Sequence, residues 1–116
     1  MVSPSDDLDL TQAQAYALQA SDLAELLDSV DVSLTASLAQ LQSAADLTSL
    51  HRCLHDLKGY LGLVAKVALC ELAQQADLHA RQGHDLATQD VLGALVPRLE
   101  RLHKALQAYR AGIIGH

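Results

Sequence analysis

The sequence predicts an all-α protein, an up-down four-helix bundle with a short additional helix at the N-terminus. Leu and Ala dominate the 116 residues and favour helices over strands, whereas only three residues are aromatic and only two are prolines. Apolar residues recur at alternating intervals of three and four along four long segments, which is the pattern of amphipathic helices that share a core. The short connections between these segments indicate antiparallel neighbours.

The length of the chain is that of a single domain. Residues 1–10 are polar and acidic, so we expect them to form a flexible N-terminus. Residues 11–110 carry the helical pattern and are expected to form the bundle. Residues 111–116 lose the pattern and are expected to form a tail.

Charge and hydropathy exclude two classes of partner. The net charge is −6 and the Lys and Arg residues are not clustered, which disfavours nucleic acid as a partner. The longest apolar run is too short to cross a bilayer, and the acidic start of the chain does not resemble a signal peptide. We therefore expect a cytoplasmic monomer without membrane insertion.

The first two helices are predicted at residues 11–19 and 21–43. Thr11 and Ser21 are the candidate N-cap residues, because a hydroxyl can accept a hydrogen bond from the first turn. Asp31 lies off the apolar stripe of the second helix and is expected to be solvated. That stripe consists of Leu23, Leu26 or Leu27, Val30, Leu34, Leu38 and Leu41.

The third helix begins after Asp46, a good N-cap residue, and carries two parallel stripes. Its second stripe contains two imidazoles, an ammonium and two glycines. A glycine inside a helix costs about 0.5–1 kcal/mol relative to Ala, so two on one face indicate a surface kept clear for another molecule. The apolar stripe is Leu47, Leu50, Leu54, Leu57, Leu61 and Val64, and the second is His51, His55, Lys58 or Gly59, and Gly62.

The last two helices are predicted from about residue 67 to 82 and from about residue 90 to 110. Whether the chain bends or runs on between the third and fourth helices is left open. Gly83 is placed to end the fourth helix in a left-handed conformation, and a polar loop should follow at residues 84–89. Pro97 removes one backbone hydrogen bond and should kink or interrupt the last helix.

The run HDLKG at residues 55–59, followed by Gly62, resembles the active-site helix of histidine-containing phosphotransfer (HPt) domains. Members of that family carry a phosphorylated His, any residue, an aliphatic residue, Lys and Gly, then small residues and a further Gly. His55 matches the phospho-acceptor, Lys58 the basic neighbour and Gly59 the first small residue. The resemblance covers about residues 20–110 and implies the four-helix bundle that the periodicity also predicts.

The resemblance implies a phosphorelay intermediate without kinase activity of its own. His55 would accept a phosphoryl group from a receiver-domain aspartate of a sensor kinase and pass it to the receiver of a response regulator. Lys58, three residues later, is within reach to attract the phosphoryl oxygens. Gly59 and Gly62 would let the partner approach in line. No cofactor is expected on this chain, and Mg²⁺ is expected on the partner receiver.

His51 lies four residues before His55 on the same face. We interpret it as a solvated residue at the rim of the docking surface, with a second acceptor or a ring that orients the phosphoryl group as the alternatives. Two His residues at this spacing could share a metal. The local sequence offers no third ligand, however, and predicts no metal site.

A second function class remains open because Tyr60 and Leu61 stand where the HPt family usually has Ser or Ala. The alternative is a non-catalytic helical binding module that uses the HPt-like face to hold another protein, and a third possibility is a self-associating bundle. Tyr60 and Leu63 border the face and are the predicted partner contacts. They could instead pack against the neighbouring helix.

The remaining Cys and His residues are assigned no chemistry by their spacing. Cys53 and Cys70 are expected to be reduced, small apolar residues, although a disulfide between their helices remains open. The other histidines are expected to be surface residues, and they are His79, His84, His103 and His116.

Overall fold

The computed structural model describes residues 7–44 and 46–114, and five helices account for most of them. They are α1 (Thr11–Tyr16), α2 (Ala20–Ser43), α3 (Leu47–Leu61), α4 (Val67–Arg81) and α5 (Asp85–Ile114). Helix α3 packs between α2 and α4, α5 closes the bundle against the same two helices, and α1 packs on α2. The all-α prediction, with a four-helix bundle and a short N-terminal helix, is confirmed.

The core consists of the apolar stripes of the four long helices. Helices α2, α3 and α5 supply leucines, whereas α4 supplies mainly alanines, which allow its backbone to approach its neighbours closely. Burying one leucine side chain contributes about 1.5–3 kcal/mol, so these stripes hold the bundle together. The largest fully buried apolar side chains are Leu27, Leu34, Leu54, Leu57, Leu61, Val64, Leu69, Leu95, Leu99, Leu102 and Leu106.

Helix starts are only partly predicted by capping residues. The N-cap of α3 is Asp46, as predicted, and its carboxylate accepts a hydrogen bond of 2.7 Å from the Ser49 N–H. The caps predicted for α1 and α2 are wrong, since Leu10 and Gln19 occupy those positions without side-chain hydrogen bonds. The first N–H of α1 is satisfied instead by the Asp9 carboxylate, which accepts a hydrogen bond of 2.9 Å from the Thr11 N–H.

In the N-terminal segment predicted to be flexible, residues 7–10 make contacts with the rest of the chain, and residues 1–6 lie outside the described part. The Asp9 N–H donates to the Val64 carbonyl, and the Lys66 N–H donates to the Asp7 carbonyl, both at 2.8 Å. The Asp7 carboxylate also accepts hydrogen bonds of 3.0 and 2.7 Å from Arg98. This segment thus satisfies backbone groups that the α3–α4 connection would otherwise leave unpaired.

The chain turns between α3 and α4, which answers the question left open by the sequence. Gly83, at φ 75°, ends α4 in the left-handed conformation that was predicted. Helix α5 differs from its prediction because it begins at Asp85, runs through Pro97 and reaches Ile114, into the predicted tail. Pro97 costs one hydrogen bond, and the buried leucines on both sides of it keep the helix continuous. Within the described residues, no helix combines the length and apolarity needed to cross a membrane.

Candidate functional site

The outer face of α3 follows directly from the phase of its buried stripe. Because the α3 leucines at positions 50, 54, 57 and 61 face the core, the residues between them point toward solvent or toward the flanking helices. His55, Asp56, Gly59 and Gly62 are exposed, as the sequence predicted for the face that carries the imidazole.

His55 stands beside a groove between α2 and α3. Its ring lies 6.1 Å from the ring of His51, measured between centroids, with the two planes tilted by 50°. The groove has a volume of about 460 Å³ and is lined largely by small or polar residues. These include Ser33, Ala36, Ser37, Gln40, Asp56, Gly59 and Tyr60. A surface of this shape leaves the imidazole of His55 open to an approaching molecule.

The two glycines of this face are not required by the packing of the described residues. A Cβ atom added at Gly59 or Gly62 would meet no atom within 4 Å outside its own helix backbone and neighbours. Neither glycine has a positive φ, so the backbone conformation does not require glycine either. The missing side chains of Gly59 and Gly62 leave open surface before and after Tyr60, on the C-terminal side of His55.

A buried carboxylate on α4 underlies the same face. Asp77 is only 1% exposed, and both of its oxygens accept hydrogen bonds from α3. Oδ1 lies 2.5 Å from His51 Nδ1, and Oδ2 lies 2.9 Å from Lys58 Nζ. Burial raises the pKa of Asp77, but the hydrogen bonds from Lys58 and His51 outweigh burial and hold that pKa below its usual value.

His51, interpreted from the sequence as a solvated rim residue, is partly solvated and also paired. Its side chain is 39% exposed, and its Nδ1 is engaged by Asp77. Because the ionised carboxylate can only accept, Nδ1 of His51 must carry the hydrogen. Lys58 lies on the α3 face as predicted, and its ammonium pairs with the same carboxylate. Its predicted role toward phosphoryl oxygens stays a prediction.

Asp77 was not singled out by the sequence, although a signal was present. It lies among Ala73, Ala76 and Ala80, which form the buried side of α4. A carboxylate at a core position is rarely left without partners, so the inward phase of Asp77 indicates a hydrogen-bond donor or cation on a neighbouring helix. Helical periodicity does not reveal which residues of another helix provide that partner.

Tyr60 and Leu63, the predicted partner contacts, are both half-buried and pack against the core. The Tyr60 hydroxyl donates a hydrogen bond of 2.8 Å to Ser37 Oγ on α2, and burial raises the pKa of Tyr60 to about 12. The Leu63 carbonyl accepts from the Ala13 N–H at 3.2 Å. Both residues therefore make the interhelical contacts considered as the alternative, and their part in docking stays a prediction.

A second carboxylate clamp lies on another side of the bundle, between α2 and α5. Asp31 accepts a hydrogen bond from His103 Nε2 at 2.5 Å and another from Arg110. Arg110 also donates to Asp28 at 2.7 Å. Asp31 was predicted to be solvated and His103 to be a surface residue, and both predictions are wrong. The Asp31 side chain is 13% exposed and the His103 side chain 16%. The hydrogen bond between them satisfies polar atoms that are largely withdrawn from solvent.

Both cysteines are free, so the disulfide that the sequence left open is absent. Burial raises the pKa of the Cys53 and Cys70 thiols, which disfavours the reactive thiolate. His79 is partly buried and its Nδ1 has no hydrogen-bond partner, His84 is exposed as predicted, and His116 lies outside the described residues. Among residues 7–44 and 46–114, no three His, Cys, Asp or Glu side chains are grouped to hold a metal ion.

The chain matches no protein-family model, no curated protein and no solved structure.

Proposed function

We propose that this protein is a histidine phosphotransfer protein of a phosphorelay. His55 accepts a phosphoryl group from the phosphorylated aspartate of one receiver domain and passes it to the aspartate of another. The observation that carries the proposal is an exposed imidazole followed one turn later by Gly59 inside α3 and then by Gly62 at its C-cap, neither of which the described packing requires. Gly59 costs the helix about 0.5–1 kcal/mol relative to Ala and leaves open surface next to that imidazole.

The chemistry is a single in-line displacement. A ring nitrogen of His55 attacks the phosphorus of the aspartyl phosphate, the N–P bond forms, and the P–O bond to the aspartate breaks, which frees the carboxylate. Return to a second receiver reverses these bonds. Such transfers depend mainly on positioning and on electrostatic stabilisation of the phosphoryl oxygens. Lys58 supplies positive charge one turn after His55, and the receiver supplies the aspartate and Mg²⁺.

The groove between α2 and α3 supports the docking part of the proposal. It opens beside His55, and its lining includes Ser33, Ala36 and Gly59, which present little bulk to a partner. The proposal requires no nucleotide site on this chain, because the phosphoryl group arrives already activated. The protein acts as an intermediate rather than a kinase, and we place it in the cytoplasm together with its receivers.

The test is transfer of labelled phosphate from a phosphorylated receiver. We expect the wild type to acquire acid-labile label and His55→Gln to acquire none, because the accepting nitrogen is gone. His51→Gln is the matched control, since it removes the neighbouring imidazole of the same face and should still reach the labelled state. Label that persists in His55→Gln would contradict the proposal. So would receiver binding without any label on the wild type, which is the behaviour of the non-catalytic binding module.

A further inference from the structure

The two donors that Asp77 holds lie on either side of His55 along α3. His51 precedes His55 by four residues and Lys58 follows it by three, so each is one helical turn away. The carboxylate between them belongs to α4 and is almost completely buried. Asp77 therefore fixes the side chains one helical turn before and one turn after His55. Neither of these two hydrogen bonds involves His55 itself.

We infer that Asp77 is the positioning residue of the proposed phosphotransfer site, an inference that rests on the proposed function. It holds the Lys58 ammonium and the His51 ring in place before any phosphoryl group arrives. A free lysine side chain samples many rotamers, and the Asp77 hydrogen bond removes much of that freedom in advance. The ammonium has three donors, so two remain for phosphoryl oxygens after Asp77 has taken one.

The arrangement also fixes the tautomer of His51. Since Nδ1 donates to Asp77, the neutral ring keeps its lone pair on Nε2 and cannot rotate without breaking a hydrogen bond to a buried carboxylate. The ring therefore forms a fixed wall of the site beside His55.

The test is the rate at which His55 acquires label in a double-mutant cycle. We expect Asp77→Asn to slow labelling about tenfold to a hundredfold, because a charged group that is no longer held in place loses much of its effect. Lys58→Gln should slow it similarly. If Asp77 acts through Lys58, adding Asp77→Asn to Lys58→Gln should change the rate by less than about twofold. Independent, multiplying effects of the two substitutions would overturn the inference.

Asp31→Asn is the matched control. Asp31 is also a carboxylate between a histidine and a cation, but it is partly buried and lies at the α2–α5 interface. Its loss should lower stability without slowing the labelling of His55. Equal slowing by Asp31→Asn and Asp77→Asn would show that general loosening of the bundle is responsible, and would overturn the inference.

A measurement on the wild type keeps the inference testable even if Asp77→Asn does not fold. Long-range ¹H–¹⁵N spectra should show His51 protonated at Nδ1, and an Nε2-protonated neutral ring would overturn the inference. Failure of the proposed function is distinguishable, because the wild type itself would then remain unlabelled. Failure of the inference alone would leave the wild type labelled and Asp77→Asn labelled at the same rate.

Discussion

At the residue scale, the least expected feature is an ionised carboxylate almost without solvent. Removing a carboxylate from water costs several kcal/mol unless hydrogen bonds and opposite charge compensate it. Asp77 has both, since each oxygen accepts a hydrogen bond and one of the donors is an ammonium. The helix that contributes His55 is therefore tied to α4 by a polar contact as well as by its leucines.

The pKa of Asp77 leads to a prediction about acid stability. That pKa lies below the ordinary value of 3.8, because the hydrogen bonds from Lys58 and His51 outweigh burial. A carboxyl group whose folded pKa is depressed stabilises the fold fully above its unfolded pKa, and this contribution is lost as the pH falls through the folded pKa. The free energy of unfolding of the wild type should therefore exceed that of Asp77→Asn at about pH 7 and approach it below about pH 4.

Urea denaturation of both proteins across that range measures the difference directly. Other carboxyl groups titrate in both proteins and largely cancel from the comparison. A difference that stays constant or grows as the pH falls would show that Asp77 is not the ionised partner of Lys58 and His51.

At the element scale, α3 combines good packing on one side with a locally unfavourable sequence on the other. Its leucines at positions 50, 54, 57 and 61 are buried and its N-terminus is capped, so the stability of the helix does not depend on its glycines. Gly59 lies within this helix in open space, where alanine would be the better residue for stability. Packing therefore gives no reason for the glycine, and its missing side chain leaves open surface one turn after His55.

Gly59→Ala separates stability from function. We expect the free energy of unfolding to rise by about 0.5–1 kcal/mol, because alanine loses less backbone entropy in a helix. Labelling of His55 should nevertheless slow, because the added methyl group projects into the approach of the receiver. Gly93→Ala is the matched control, since Gly93 is an exposed glycine in open space on α5. Gly93→Ala should raise the free energy of unfolding similarly and leave the labelling of His55 unchanged. Unaltered labelling of Gly59→Ala would show that the open surface at Gly59 is not needed for the receiver to approach.

At the scale of the whole molecule, what could be predicted is what depends on local periodicity. The stripe from Leu47 to Val64 fixed the phase of α3, and that phase was sufficient to place His55 and the glycines on the outside. Contacts between helices could not be predicted in this way, because Asp77 and His51 are separated by 26 residues and lie on different helices. The length of α5 was also not predicted. Tertiary packing continues this helix through Pro97, although proline removes one backbone hydrogen bond.

Among the hydrogen bonds of the described residues, the pair farthest apart in sequence is separated by 91 positions and gives the last prediction. Two hydrogen bonds from Arg98 hold the pKa of Asp7 below its ordinary value. They also attach the N-terminal segment to α5, while the backbone of that segment pairs with the α3–α4 turn.

Arg98→Met keeps most of the aliphatic stem and removes the guanidinium, so it should lower the free energy of unfolding by about 1 kcal/mol. Lys104→Met, an exposed substitution on the same helix, should change it by less than about 0.5 kcal/mol in urea denaturation. In an Asp7→Asn background the Arg98→Met loss should largely disappear, and an undiminished loss there would mean that the guanidinium stabilises the bundle through some contact other than Asp7.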